Sequence, residues 1–128
     1  DLRMSRGLGD VYKRQGYKIV DEDMILEDGK YYPMFRCVPC ADNSAWDNMD
    51  ETTVTVCDLY GPVLIKNGNP VLRKFLVREH HKLAAIMQQL RTQEMSDSIM
   101  DRIEQINEMM AYNEAAYSTM GAIRNAGI

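Results

Sequence analysis

Two apolar stripes in the C-terminal half of the chain mirror one another, and this symmetry constrains the fold more than any other feature. The first runs Leu72, Leu76, Leu83, Ile86 and Leu90 and is broken at Glu79. The second runs Ile99, Ile103, Ile106, Met110, Tyr117 and Met120 and is broken at Asn113. Steps of three and four keep each set on one side of a helix. The stripes are out of phase as one continuous helix, and the phase slips over residues 92–98. Folding the chain back near residue 96 sets Leu72 level with Met120, Leu76 with Tyr117, Leu83 with Met110, Ile86 with Ile106 and Leu90 with Ile103. The two polar breaks then coincide. An antiparallel helical hairpin over residues 70–124 is predicted, with Glu79 and Asn113 in one layer and His80 and Glu114 beside them at the solvent edge. These four are the expected interaction and register residues, because a polar group buried alone costs about 1 to 3 kcal/mol.

Boundary signals agree with the hairpin. Asn69-Pro70 suits an N-cap followed by the first helical position, and Ser96 or Ser98 can cap the second helix. Arg73, Lys74, Arg78, Lys82 and Arg91 fall on the first helix, whereas Asp97, Asp101, Glu104, Glu108 and Glu114 fall on the second. Opposite signs favour pairing, although exposed pairs contribute only about 0 to 1 kcal/mol each. One seam cannot shield Phe75, Met87, Met100 and Met109 together, so some of them must pack on a sheet or on another subunit.

Residues 16–69 read as β-rich. Tyr17-Lys18-Ile19-Val20 is a predicted strand, and Glu27-Asp28-Gly29-Lys30 a turn into Tyr31-Tyr32-Pro33-Met34-Phe35. Residues 41–51 are polar and read as a loop anchored by Trp46. β-branched residues over 52–60, and Val63-Leu64-Ile65 before Asn67-Gly68-Asn69, suggest further strands. The expected class is α+β: one small domain over residues 16–128, a small antiparallel sheet followed by the two-helix hairpin.

With 15 basic and 19 acidic side chains the net charge is −4. An acidic balance repels phosphate backbones and anionic lipid, which disfavours nucleic acid as a partner and leaves only a local basic face. The longest apolar run, Leu83-Ala84-Ala85-Ile86-Met87, is far short of the roughly 20 residues that span a bilayer, so no membrane role is expected. Three cysteines are too few for a disulfide framework and suggest a reducing cytoplasm.

Cys37-Val38-Pro39-Cys40 is the one chemically suggestive motif. With Cys57 as a third ligand and His80 or His81 as a fourth, it would make a tetrahedral zinc site. A second paired knuckle is missing, so small cysteines packed at a sheet edge are the preferred reading and no cofactor is expected. A redox dithiol would need a helix starting at the first cysteine, and residues 41–44 do not begin one. Glu79-His80-His81 diverge around a helix rather than converging on a metal. No nucleophile, base and orienting group can be assembled, so enzymatic activity is not expected.

Met4-Ser5-Arg6-Gly7-Leu8-Gly9-Asp10-Val11-Tyr12-Lys13-Arg14-Gln15 resembles sequencing-adapter read-through in translation. That likeness, together with a start at Asp1 without an initiator methionine, implies a non-native leader over residues 1–15 on a metagenomic gene fragment. Leu72-Arg73-Lys74-Phe75-Leu76-Val77-Arg78-Glu79-His80, Arg102-Ile103-Glu104-Gln105-Ile106 and Met120-Gly121-Ala122-Ile123-Arg124-Asn125 resemble segments of small transposon-encoded TnpV-like proteins. A mobile-element context and a helical accessory protein are what that resemblance implies. It departs from the family in lacking a proline soon after Glu-His and a longer glycine-containing connection between the helices. The expectation is a small non-enzymatic phage or mobile-element accessory or structural protein that works through protein contacts or self-association of its hairpin. The alternative is a zinc-stabilised binding module on Cys37, Cys40, Cys57 and His80, an accessory to nucleic acid through the basic first helix.

Overall fold

Asp28 and Gly29 both take left-handed backbone, with φ of 51° and 76°, and such a two-residue turn matches the twist of the strands it joins. It closes β1 (Tyr17–Glu27) against β2 (Lys30–Pro39) as an antiparallel hairpin, with Glu27 opposite Lys30 and an irregularity between Ile19 and Asp21. The computed structural model describes residues 16–39 and 49–120. The leader over residues 1–15, and Cys40 and Trp46, lie outside the described residues.

Four helices follow: α1 (Glu51–Tyr60), α2 (Pro62–Asn67), α3 (Pro70–Arg91) and α4 (Asp97–Thr119). The first two correct the strands expected over residues 52–60 and 63–65. Asp50 caps α1, its carboxylate accepting the Thr53 N–H at 2.6 Å. Val56, Cys57 and Tyr60 are buried at helical spacing, so packing outweighs the strand preference of the β-branched residues. Pro62 occupies the first turn of α2, and Gly68 closes it in the left-handed conformation with φ of 61°. The residues around Val63-Leu64-Ile65 thus punctuate a short helix rather than a strand and hairpin turn.

The long helices form an antiparallel pair broken over residues 92–96. Asn69 caps α3, accepting from the Val71 and Leu72 N–H groups at 2.9 and 3.0 Å, and Ser96 caps α4 through the Ile99 N–H at 3.3 Å. Leu83, Met87, Leu90 and Ile106 make one buried cluster at the loop end. Leu72, Leu76, Ala116 and Met120 make the other, joined by Val56 and Tyr60 of α1 and Leu64 and Ile65 of α2. Tyr117, expected level with Leu76, is instead 46 % exposed, and Ala116 takes the buried place. A small side chain there leaves room for α1 to pack against α4. Phe75 is covered by the edge of Tyr31 at 5.1 Å and by Tyr60 at 6.4 Å between ring centroids, so the sheet and α1 shield it.

The strand hairpin is clasped to the helices. Met24 is buried among them. Glu22 accepts the Val63 N–H at 2.8 Å, and its carboxylate lies so close over Gly61 that a Cβ there would collide with Glu22 Oε2. Gly61 also has a φ of 99°, which side chains rarely adopt. Burial pushes the Glu22 carboxyl from 4.5 to about 7; Asp21 adds to the rise, and the Val63 and Leu64 amides oppose it.

The folded state therefore binds the Glu22 proton more tightly than the unfolded chain, and stability falls as pH rises from about 4.5 to about 7. Glu22→Gln keeps an acceptor for the Val63 amide but cannot ionise. Melting temperatures across this range are expected to show a shallower decline for the variant and a higher value than wild type at pH 7. An unchanged pH profile would show that Glu22 is not the group responsible.

Candidate nucleic-acid interface

The buried stripe of α3 leaves its cations spread around the exposed arc of the helix. Leu72, Leu76, Leu83 and Leu90 face the core, whereas Arg73, Lys74, Arg78, His81, Lys82 and Arg91 are exposed. The one acid of this 22-residue helix, Glu79, is buried. The outer face of α3 is thus cationic without an exposed carboxylate over about 33 Å. Arg78 donates to the Gly29 carbonyl at 2.6 Å and lies 5.5 Å from the Tyr31 ring, tying the strand turn to the helix. Arg73 lies 5.7 Å from the Tyr117 ring. Lys74, Lys82 and Arg91 form no hydrogen bond or ion pair among the described residues. Acids collect instead on α4, where Asp97, Asp101, Glu104, Glu108 and Glu114 are exposed.

Beneath the cationic face lies a buried polar knot. Glu79 and Asn113 are each 3 % exposed. Asn113 Nδ2 donates to Glu79 Oε1 and to the Leu76 carbonyl, both at 2.9 Å. The Tyr60 hydroxyl donates to the same Glu79 oxygen at 2.5 Å. Glu79 Oε2 is buried without a hydrogen-bond partner among the described residues. Desolvation raises the Glu79 pKa, against the hydrogen bonds of Tyr60 and Asn113 and the charge of Lys82. Tyr60 is raised as well, first by burial and then by Glu79, and so remains a donor. Sequence reasoning missed Tyr60, because residues 52–60 read as a strand; helical spacing from Val56 was the signal that could have placed it.

The other expected site residues are dispersed. His80 is half-buried and meets the edge of His81 at 6.3 Å, whereas Glu114 is exposed, and no hydrogen bond or ion pair joins His80 to Glu114 among the described residues. Cys37 is half-buried on β2, where burial and the charge of Glu22 push its thiol pKa up. Cys57 is buried on α1. Among the described residues no three His, Cys, Asp or Glu side chains converge on a metal position. No helix among them is long and apolar enough to cross a membrane. An open groove of about 450 Å³ runs between α3 and α4 near their connecting loop, lined by Ala84, Met87, Gln88, Arg91, Asn107 and Met110.

The family described as TrmK, tRNA (adenine(22)-N(1))-methyltransferase, matches over residues 5–114. No curated protein matches. Three solved structures are similar. The Bacillus subtilis m1A22 tRNA methyltransferase TrmK superposes with a TM-score of 0.70 at 21 % identity over 86 % of this chain and 46 % of that one. An uncharacterised Listeria monocytogenes protein gives 0.74 at 17 % identity over 88 % and 46 %. A Streptococcus pneumoniae protein described as a candidate tRNA (m1A22) methyltransferase gives 0.66 at 18 % identity over 88 % and 45 %. At these identities the superpositions establish the fold, and the chain spans about half the length of each. The family match overturns the TnpV-like resemblance and the mobile-element, phage and coiled-coil reading. It begins at Ser5, inside the segment set aside as adapter-derived, and replaces that reading also. The zinc-module alternative, the exclusion of enzymatic activity and the exclusion of nucleic acid fall with it. Net charge could not carry that exclusion, because it averages over opposite faces of the molecule, whereas a phosphate backbone would meet only one.

Asn113→Leu would remove one of two donors to Glu79 and is expected to destabilise the chain by about 1 to 3 kcal/mol in denaturant melts. Leucine at both Glu79 and Asn113 would strand the Tyr60 hydroxyl, so the apolar replacement that restores stability needs Tyr60→Phe as well. A double variant as stable as the triple would show that Tyr60 is not part of the knot.

Proposed function

Because the chain belongs to the tRNA (adenine(22)-N(1))-methyltransferase family, we propose that it serves methylation at N1 of an adenine in tRNA and that α3 holds the tRNA backbone. The family match over residues 5–114 is the observation that carries this reading. The geometry supports it through the outward cations of α3, Lys74 and Lys82 above all, which lie with Arg78 within one quadrant of the helix, since a protein that neutralises phosphates gains affinity by releasing counterions. The acids of α4 steer the RNA toward α3. N1 lies on the Watson–Crick edge of adenine, so the target base must be unpaired before it can react. Such a protein works in the cytoplasm, where tRNA is matured.

The family's reaction calls for a methyl donor of the S-adenosylmethionine type. The described residues do not fit one. The groove between α3 and α4 offers no carboxylate for ribose hydroxyls or an ammonium group. The two strands form an antiparallel hairpin, not the parallel strand-turn-helix unit that cradles a nucleotide. No step of the methyl transfer is assigned to these residues.

Fluorescence anisotropy with labelled tRNA over a salt series tests the proposal. Affinity is expected to fall linearly with salt on logarithmic axes. Lys74→Ala and Lys82→Ala should each weaken binding and reduce the slope by about one, with melting temperatures little changed because both side chains are exposed. No binding of tRNA at low salt, or equal slopes for wild type and both variants, would refute a backbone contact through α3.

A further inference from the structure

One flank of the helical pair is built from two straight rows. On α3, Arg73, His80, Ala84 and Arg91 recur at steps of seven, four and seven; on α4, Asn107, Met110, Glu114 and Tyr117 recur at three, four and three. Such steps keep each set along one side of its helix. The rows meet at both ends. Arg73 lies over Tyr117 at one end, and at the other Ala84 and Arg91 share the groove with Asn107 and Met110. The groove is apolar at Ala84, Met87 and Met110, and its polar groups are the carboxamides of Gln88 and Asn107, the guanidinium of Arg91 and the hydroxyl of Thr92, which already donates to the Gln89 carbonyl. Its volume of about 450 Å³ falls within the range of small-ligand sites.

We propose that this groove receives one unpaired nucleotide of the RNA, its base against Met87 and Met110, its edge read by Gln88 and Asn107, and its phosphate met by Arg91. The inference rests on the reading that the chain binds tRNA, and it extends that reading from the backbone to a base. Carboxamides both donate and accept, which matches the mixed edge of a nucleobase. The charge of the site is complementary to RNA, because Arg91 and the neighbouring outer face of α3 carry cations and the groove lining carries no acid. A strand lying along α3 can therefore enter without leaving the cationic surface. The nucleotide taken is a neighbour of the reacting adenine rather than that adenine, since the groove does not fit a methyl donor.

The full chain is titrated with labelled tRNA, a short single-stranded oligoribonucleotide and an RNA duplex. Ala84→Phe fills the groove without changing charge, and Asn107→Leu removes an amide at nearly constant volume; both positions are exposed. Each variant is expected to bind the single strand about tenfold more weakly, to lose affinity for tRNA, and to bind the duplex as wild type does. If Ala84→Phe melts early, Asn107→Leu decides. Unchanged single-strand binding by the variants, with Lys74→Ala still weakening tRNA binding, would overturn the groove and leave the backbone contact standing. Wild-type protein that binds no RNA would overturn both. A dimer in sedimentation that Ala84→Phe dissociates, with RNA binding unaltered, would assign the groove to a second copy and overturn the proposal.

Discussion

Glu79 is enclosed where α1, α3 and α4 meet, and one of its oxygens accepts from Tyr60 and Asn113 together. A carboxyl group taken out of water without partners is heavily penalised, so the fold must bring both donors to it. That requirement acts on three elements at once. It sets the register of α4 along α3, it fixes which side of α1 faces inward, and it excludes slipped pairings of the two apolar stripes, which would part Glu79 from Asn113. The buried leucines supply the larger share of the driving force. The polar knot selects one arrangement from those the leucines allow.

The same selection decides what α3 shows to solvent. With Leu72, Leu76, Leu83 and Leu90 committed to the core, Lys74, Lys82 and Arg91 have no direction left but outward. The strand hairpin is tied across the same helix by the Arg78 contact to Gly29 and beneath it by Glu22 at the start of α2. A short sheet of two strands is marginal by itself. Here it is held by Met24 in the core, by the Arg78 hydrogen bond at the turn and by the Glu22 hydrogen bond at the middle of β1, so the cationic face and the strand turn form one surface.

Much of the α3–α4 pair was legible in residue spacing. The break over residues 92–96, the caps at Asn69 and Ser96 and the shared layer of Glu79 and Asn113 all correspond to features of the apolar pattern, because a seam between two helices imposes its period on both. The cations of α3 were legible too, in Arg73, Lys74, Arg78, Lys82 and Arg91, although the net charge of the whole chain is acidic. Family membership was not legible from these residues. The described portion holds no convergent set of reactive groups, and a phosphate-binding face has no fixed spacing by which a single sequence announces it.

Amino-acid order alone determined the local devices: the Asp28-Gly29 turn, the cap-and-proline start of α3 and the three-and-four periodicity of the long helices. Each depends on residues a few positions apart, so it is written in consecutive sequence. Tertiary structure decided the rest. Residues 52–60, rich in β-branched side chains, became α1 because burying Val56, Cys57 and Tyr60 together outweighs a modest strand preference. Ala116 displaced Tyr117 from the core because α1 packs against α4 there. Tyr60 joined Glu79 across 19 positions, and Glu22 reached Val63 across 41; neither pair leaves a periodic trace, because contacts so distant along the chain exist only once the helices have packed.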